Sequence, residues 1–193
     1  MASTEKLKKY IASFGPLPER DWAFFVSRLQ ERTFSKKEII LRSGKVEDHV
    51  SFLEKGIIRY FVEEEEKDIT FDIGFENGFA TAYDSFLTRR PVWYNAEALT
   101  DVSLWSVTYA DLQEIYAKTD AGNLIGRRAA EELYIKKNKR QLSLLKDNAE
   151  QRYLSLLTDY PQLIQFIPLK YLASYIGITP QALSRIRKRI GGG

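Results

Sequence analysis

The 193-residue chain contains no cysteine and a single histidine, His49. A disulfide, a thiolate zinc site, an iron–sulfur cluster and a cysteine nucleophile are therefore excluded, and one imidazole cannot build a histidine-rich metal centre. No metal or other cofactor is expected. No apolar run is long enough to span a bilayer, and the N-terminus lacks the apolar core of a signal peptide, so no membrane association and a cytoplasmic location are expected. The charge is not strongly of one sign either: 29 Lys and Arg against 26 Asp and Glu leave +3 at neutral pH. What is present is 44% hydrophobic residues, enough to build real cores in one large domain or two modest ones.

The charge is unevenly divided. Residues 136–190 carry 11 basic and 3 acidic side chains, a balance of +8, and the remainder of the chain is at −5. A basic C-terminal part on a mildly acidic body is the footprint expected of a DNA binder, because phosphate neutralisation supplies most non-specific affinity. Solvated surface alone can also produce such an asymmetry.

Residues 168–190, PLKYLASYIGITPQALSRIRKRI, carry the most specific pattern in the chain. A first helix is predicted over 168–176 with Pro168 near its first turn, where a missing N–H costs nothing. Gly177 permits a left-handed turn, Thr179 is placed to cap a second helix, and Pro180 presets its first φ. Leu172, Ile176, Ile178, Leu183 and Ile186 are spaced to face one another, with the small Ala173 where the helices cross. Gln181, Ser184, Arg185 and Lys188 then share the outer face at spacings of three and four. That is a helix-turn-helix presenting hydrogen-bonding side chains to a major groove, with Gln181, Ser184 and Arg185 towards bases and Thr179, Lys188 and Arg189 towards phosphates. A helical hairpin packed inside a larger domain would be the plainer account.

Upstream, Leu7, Tyr10, Ile11 and Phe14 mark a helical face, broken by Gly15-Pro16-Leu17-Pro18 and resumed over 22–29. From 33 to about 109 the texture changes to short strands rich in branched and aromatic residues, separated by turn signals such as Ser43-Gly44 and Lys55-Gly56, as in a sandwich or barrel. The acidic run from Glu63 to Asp68 reads as a solvated hairpin tip. Helices are predicted up to 118, over 121–146 and over 149–159, the last closed by Pro161. In the long one, Ile125, Ala129 and Leu133 form an apolar line, with Leu142 and Leu145 further on beyond Lys136, Lys137, Lys139 and Arg140. Two arrangements fit this line: a helix packed sideways on its own barrel, or a two-fold dimer seam.

A strand-rich N-terminal part, a long helix and a terminal helix-turn-helix, in that order, resemble the Crp/Fnr family of bacterial transcription regulators. Ile39-Ile40-Leu41-Arg42-Ser43-Gly44 and Val50-Ser51-Phe52-Leu53-Glu54-Lys55-Gly56 look like the early barrel strands and turn glycines of its cyclic-nucleotide-binding fold, and Gly177-Ile178-Thr179 with Ser184-Arg185-Ile186 look like its reading turn and helix. The resemblance implies an α+β chain with a β-barrel or jelly-roll sensor domain over 1–120, a dimerisation helix over 121–146 and a DNA-binding helix-turn-helix domain over 147–190. It implies a non-catalytic homodimer that binds double-stranded DNA and works with RNA polymerase.

Two departures qualify that expectation. Cyclic-AMP-binding members hold the ribose with a Gly-Glu pair and the phosphate with Arg-Ser or Arg-Thr, since a buried phosphate needs a cation and N–H donors. Those positions fall on Thr81-Ala82 and Val92-Trp93, so an effector other than cyclic AMP, or none, is expected. Arg89 and Arg90 before Pro91 read as an exposed turn. Phe71, Phe79, Tyr83, Trp93 and Tyr94 are the candidate pocket lining, with only one of the adjacent Trp93 and Tyr94 able to point inward. Members also often continue into a small wing of strands, whereas Gly191-Gly192-Gly193 follow the reading helix here. That favours, as an alternative, a ligand-binding or protein-interaction module of the same fold without specific DNA binding. A cupin-type enzyme would need two or three histidines with a carboxylate, which His49 alone cannot supply.

Overall fold

The computed structural model describes residues 4–65, 67–161 and 164–191. Two short helices, α1 (Glu5–Ala12) and α2 (Glu19–Val26), precede the strands β1 (Gln30–Phe34), β2 (Ile39–Leu41), β3 (His49–Lys55), β4 (Ile57–Val62), β5 (Ile69–Phe75) and β6 (Gly78–Ala80). A short helix α3 (Tyr83–Thr88) leads to β7 (Asn95–Ala98) and β8 (Val102–Thr108). Helices α4 (Tyr109–Lys118), α5 (Gly122–Lys146), α6 (Ala149–Asp159), α7 (Leu169–Ile176) and α8 (Pro180–Gly191) follow. The strands make two four-stranded antiparallel sheets, β1-β8-β3-β6 and β2-β7-β4-β5, stacked as a jelly-roll-like sandwich. Among the described residues no helix is long and apolar enough to cross a membrane.

Strand alternation sets the inner core. Leu53, Leu104, Ile58, Tyr60, Ala96 and Ala98 point between the sheets and pack together. The sharp step from β3 to β4 runs through Gly56 at φ +102, where a Cβ would run into the backbone of Asp101. Two details differ from the sequence expectation. Helical structure stops at Val26 and the first strand opens at Gln30, ahead of 33, because Leu29 packs on the α1–α2 core as an apolar residue outside any helix. The short α3, inside a segment that reads as strand and turn, is held by Phe86 at its centre, fully buried.

In β4 nearly every residue is buried, not only alternate ones. A strand with both faces covered reads as a continuous apolar run, and Ile57 to Val62 is one apart from Arg59. Its outer face is covered by the C-terminal helices. Ile57, Ile73 and Phe75 share one core with Tyr153, Leu156, Ile164, Leu172, Ile176 and Leu183, and Phe75 stacks on Tyr160 at 3.8 Å. The β5 edge contributes a backbone bond, the Thr70 N–H donating to Ser174 Oγ at 2.9 Å.

Arg59 lies in this junction at 1% exposure. Its guanidinium donates to Asp68 Oδ2 at 2.8 Å, Glu97 Oε2 at 3.2 Å and Thr70 Oγ1 at 2.9 Å. The rings of Phe61 and Tyr171 flank it at 3.9 and 3.7 Å. The planar fork satisfies its donors in the plane and offers its faces to the rings, which an ammonium could not do. Asp68, at the end of the acidic hairpin, is thereby a structural partner and not merely solvated. Arg59→Met leaves Asp68 and Glu97 without their cation and is expected to cost about 3 kcal/mol, since one member of a buried ion pair is removed. Urea unfolding monitored by fluorescence checks it, and a change below about 1 kcal/mol, the scale of exposed pairs, would show the junction does not depend on the ion pair.

Candidate functional site

The turn between α7 and α8 is built as its residue types require. Gly177 adopts φ +78, its N–H reaching the Ser174 carbonyl, and the Ile178 N–H bonds back to the Ala173 carbonyl at 3.0 Å. That six-to-one bond is the Schellman closure of a helix end. Thr179 Oγ1 accepts the Ala182 N–H at 3.2 Å, capping α8. Pro168 precedes the first turn of α7 and does not belong to it, with an extended ψ of 136°. Leu172, Ala173, Ile176, Leu183 and Ile186 are buried, and Ile178 packs at their edge.

The opposite face of α8 is open. Gln181, Arg185 and Lys188 are exposed, Ser184 is half-buried, and Thr179 stands exposed at the start. The helix has no acidic residue, and Arg187 is a further exposed cation beside this face that the sequence reading did not include. Lys170, exposed in the first turn of α7, is another. Both were legible as basic residues, but only the burial of Ile186 and Leu172 fixes which way they turn. Arg189 differs from the rest, because its guanidinium is ion-paired with Glu150 of α6.

The five aromatic residues expected to line one pocket do not line one. Phe79 and Tyr83 lie on the outer side of the β1-β8-β3-β6 sheet, against a cavity bounded by α1, α4 and α5. Phe71, Trp93 and Tyr94 cluster elsewhere, with ring centroids 4.9 Å apart for Phe71 and Tyr94 and 6.5 Å for Phe71 and Trp93. The separation has a physical cause. A register shift between Tyr60 and Phe61 leaves Phe71 without a partner in the ladder and turns it towards the sandwich end. Of the adjacent pair, Tyr94 is inside at 6% exposure and Trp93 outside at 68%.

Of these rings Tyr94, with Tyr60 beside it, fills the interior near α3. The Tyr94 hydroxyl donates to Asp84 Oδ1 at 2.7 Å, and Tyr60 packs against both Tyr94 and Phe71. Burial pushes both phenols well above the ordinary tyrosine range. The Asp84 hydrogen bond adds to the shift of Tyr94, and the carboxylates of Asp72 and Glu47 raise both groups. Thr81 is bonded to the His49 carbonyl, Ala82 and Val92 are buried in the apolar core, and Trp93 points to solvent. Arg89 closes α3 in a left-handed conformation, donating to Asp48 at 2.5 Å and to the Glu47 carbonyl at 2.9 Å. Arg90 is exposed.

Ile125, Ala129 and Leu133 of α5 are half-buried within their own chain, lining the same outer cavity as Phe79, with Ile125 packed on the Leu7–Ile11–Trp22–Phe52 core. The sideways arrangement describes this row. The open apolar row is a different one further along α5, where Tyr134 is 72% exposed, Ile135 52%, Leu142 54% and Leu145 79%. Ile135, Asn138, Leu142 and Leu145 follow a four-and-three spacing that the intervening lysines obscure in the sequence.

Residues 31–119 match the cyclic nucleotide-binding domain. The match runs from β1 to the end of α4. The chain is similar in fold to FixK2 from Bradyrhizobium japonicum, at 16% identity and TM-score 0.70 over 85% of each chain. It is also similar to a putative cyclic nucleotide binding protein from Ruegeria pomeroyi, at 16% identity and TM-score 0.69 over 99% of this chain and 89% of that one. A putative Crp/Fnr family transcriptional regulator from Eubacterium rectale is similar at 14% identity and TM-score 0.64, over 93% and 88%. No curated protein matches the chain. The fold is thus shared with a putative Crp/Fnr family regulator, and the interior of the sandwich is occupied by tyrosines. A cyclic phosphate there would have to displace the buried Tyr60 and Tyr94 and would meet the carboxylate of Asp84. Calorimetry with cyclic AMP and cyclic GMP at micromolar concentration is expected to show no binding, and saturable heat from either would mean the tyrosines swing out of the cleft.

Proposed function

We propose that this protein is a homodimeric regulator of transcription of the Crp/Fnr type that reads duplex DNA through α8. In this reading residues 1–120 are the sensor, 121–146 the dimerisation helix and 147–190 the DNA-binding part. The observation that carries it is the division of α8 into a buried apolar face and an exposed face of Gln181, Ser184, Arg185 and Lys188 without a single carboxylate. A helix packed only for structure has no need of such a face, whereas a reading helix does. The similarity in fold to a putative Crp/Fnr transcriptional regulator supports it. The sensor responds to an effector other than a cyclic nucleotide, or to none.

The exposed row Ile135, Asn138, Leu142 and Leu145 is the dimer seam in this proposal, with Tyr134 at its flank. Apolar knobs at these spacings pack against their own copies, and one asparagine among them fixes the register. Leu145→Asp places a charge in the seam and is expected to convert a dimer to a monomer in light scattering at micromolar concentration, while Ala129→Asp would instead disturb the fold of the chain itself. A Leu145→Asp protein that stays dimeric places the seam elsewhere.

Arg185 is assigned to base reading and Lys188 to phosphate, because a helix entering the groove by its N-terminal half brings early residues to the bases and later ones to the backbone. Arg185→Ala is expected to cost about 1–3 kcal/mol on the specific site and to relax preference at one base pair per half-site. Lys188→Ala is expected to weaken all duplexes alike and to flatten the salt slope by about one unit per lost phosphate contact. Arg189 is a phosphate contact only once released from Glu150, so Glu150→Gln is expected to strengthen binding to random duplex. Competition binding on single-base operator variants at two salt concentrations measures these effects. Absence of salt-dependent binding to any duplex would leave a ligand or protein-interaction module as the function.

A further inference from the structure

Between the outer face of the β1-β8-β3-β6 sheet and helices α1, α2, α4 and α5 lies a cavity of about 90 Å³. At roughly 10–15 Å³ for each water-sized group, that is room for roughly six to nine such groups, the size of a small organic molecule. Its walls are apolar, from Leu7 and Ile11 on one side to Phe52 and Phe79 on the sheet and Ile125 and Ala129 on α5. Small residues of α5 make the space. Gly126 faces the Tyr116 ring so closely that a Cβ would lie 2.5 Å from it, and burial pushes the Tyr116 hydroxyl up to about 12.

Trp105, in the wall, has its indole Nε1–H buried with no hydrogen-bond acceptor among the described residues. A buried donor left unpaired is costly and uncommon, and in a cavity it calls for an acceptor brought from outside. The wall contains no Lys or Arg. Its one charged residue, Asp21, is buried and accepts the Ala121 N–H at 2.9 Å through Oδ2. An anion would therefore find no cation here and would be repelled.

We propose that this cavity is a binding site for a small, neutral, mainly apolar molecule with a single hydrogen-bond acceptor, which Trp105 recognises. It lies outside the sandwich interior, and its occupant shares α5 with the proposed dimer seam. The assignment stands on the cavity and on the unpartnered indole, and its test contains no DNA, so it succeeds or fails separately from the DNA-reading proposal.

The test is NMR of the full chain labelled with nitrogen-15, in which Trp22, Trp93 and Trp105 give three indole signals and Trp105→Phe identifies the third. Acetophenone, a neutral aromatic ketone, is expected to shift the Trp105 signal saturably, and benzoate is expected to leave it unmoved. Trp105→Phe should weaken acetophenone about 5- to 10-fold, the loss of one neutral hydrogen bond, while changing ethylbenzene, which has no acceptor, by less than about twofold. Should Trp105→Phe fail to fold, Ala129→Phe fills the cavity and must abolish the acetophenone response of Trp105. The proposal is overturned if acetophenone produces no saturable shift at Trp105, if both ligands weaken equally in Trp105→Phe, or if Ala129→Phe leaves the response intact. A cavity closed by the partner's own α5 would give the first of these results.

Discussion

The junction between the sandwich and the helix-turn-helix depends on one buried cation. Arg59 brings a charge to 1% exposure, and everything around it is arranged to make that tolerable: two carboxylates, one threonine hydroxyl and two aromatic faces. Of these groups, Tyr171 belongs to α7, so the first helix of the helix-turn-helix forms part of the environment that a strand residue needs. The same helix accepts a backbone bond from Thr70 through Ser174. Arg140 of α5 completes the tie, its guanidinium lying 3.6 Å from the Tyr175 ring. Burial pushes the Tyr175 hydroxyl upward, so it stays neutral and Arg140 stacks on an uncharged ring. Lys137 of α5 and Asp72 of β5 form a further ion pair in the same region. The helix-turn-helix is therefore oriented by the outer face of β4 and β5 and by α5 together.

How far this could be read from the sequence follows from which forces are local. The α7–α8 turn was legible residue by residue because Gly177, Thr179 and Pro180 each act on their own backbone, and periodicity alone placed Leu183 and Ile186 inward. The order of strands and the long helix were legible for the same reason. The junction was not. Arg59 interrupts an apolar run where an arginine normally points to water, and only the arrival of Tyr171 more than a hundred positions later covers it. The aromatic candidates failed on the same distinction: Phe71, Phe79, Tyr83, Trp93 and Tyr94 all have the chemistry of a pocket lining, but the irregularity after Tyr60 and the sheet face decide which ones meet. For α5, the row Ile125, Ala129 and Leu133 was legible as apolar together with Leu142 and Leu145, but periodicity could not tell that the first three turn to their own chain while Ile135, Leu142 and Leu145 stay open.

Helix α5 carries the two halves of the chemistry on different rows. Near its start, small and apolar side chains close a cavity against the sheet; further on, Ile135, Leu142 and Leu145 stand out into solvent beside Lys137 and Arg140, which hold it to the junction. Over 25 residues an α-helix is about 38 Å long, so one element reaches from the cavity to the Arg140–Tyr175 contact. Helix α8 is fixed to Tyr175 through the buried α7–α8 core, so it is held to α5 as well as to β4 and β5. With tyrosines filling the inner cleft, α5 is the helix that touches the outer cavity, the exposed apolar row and the junction together.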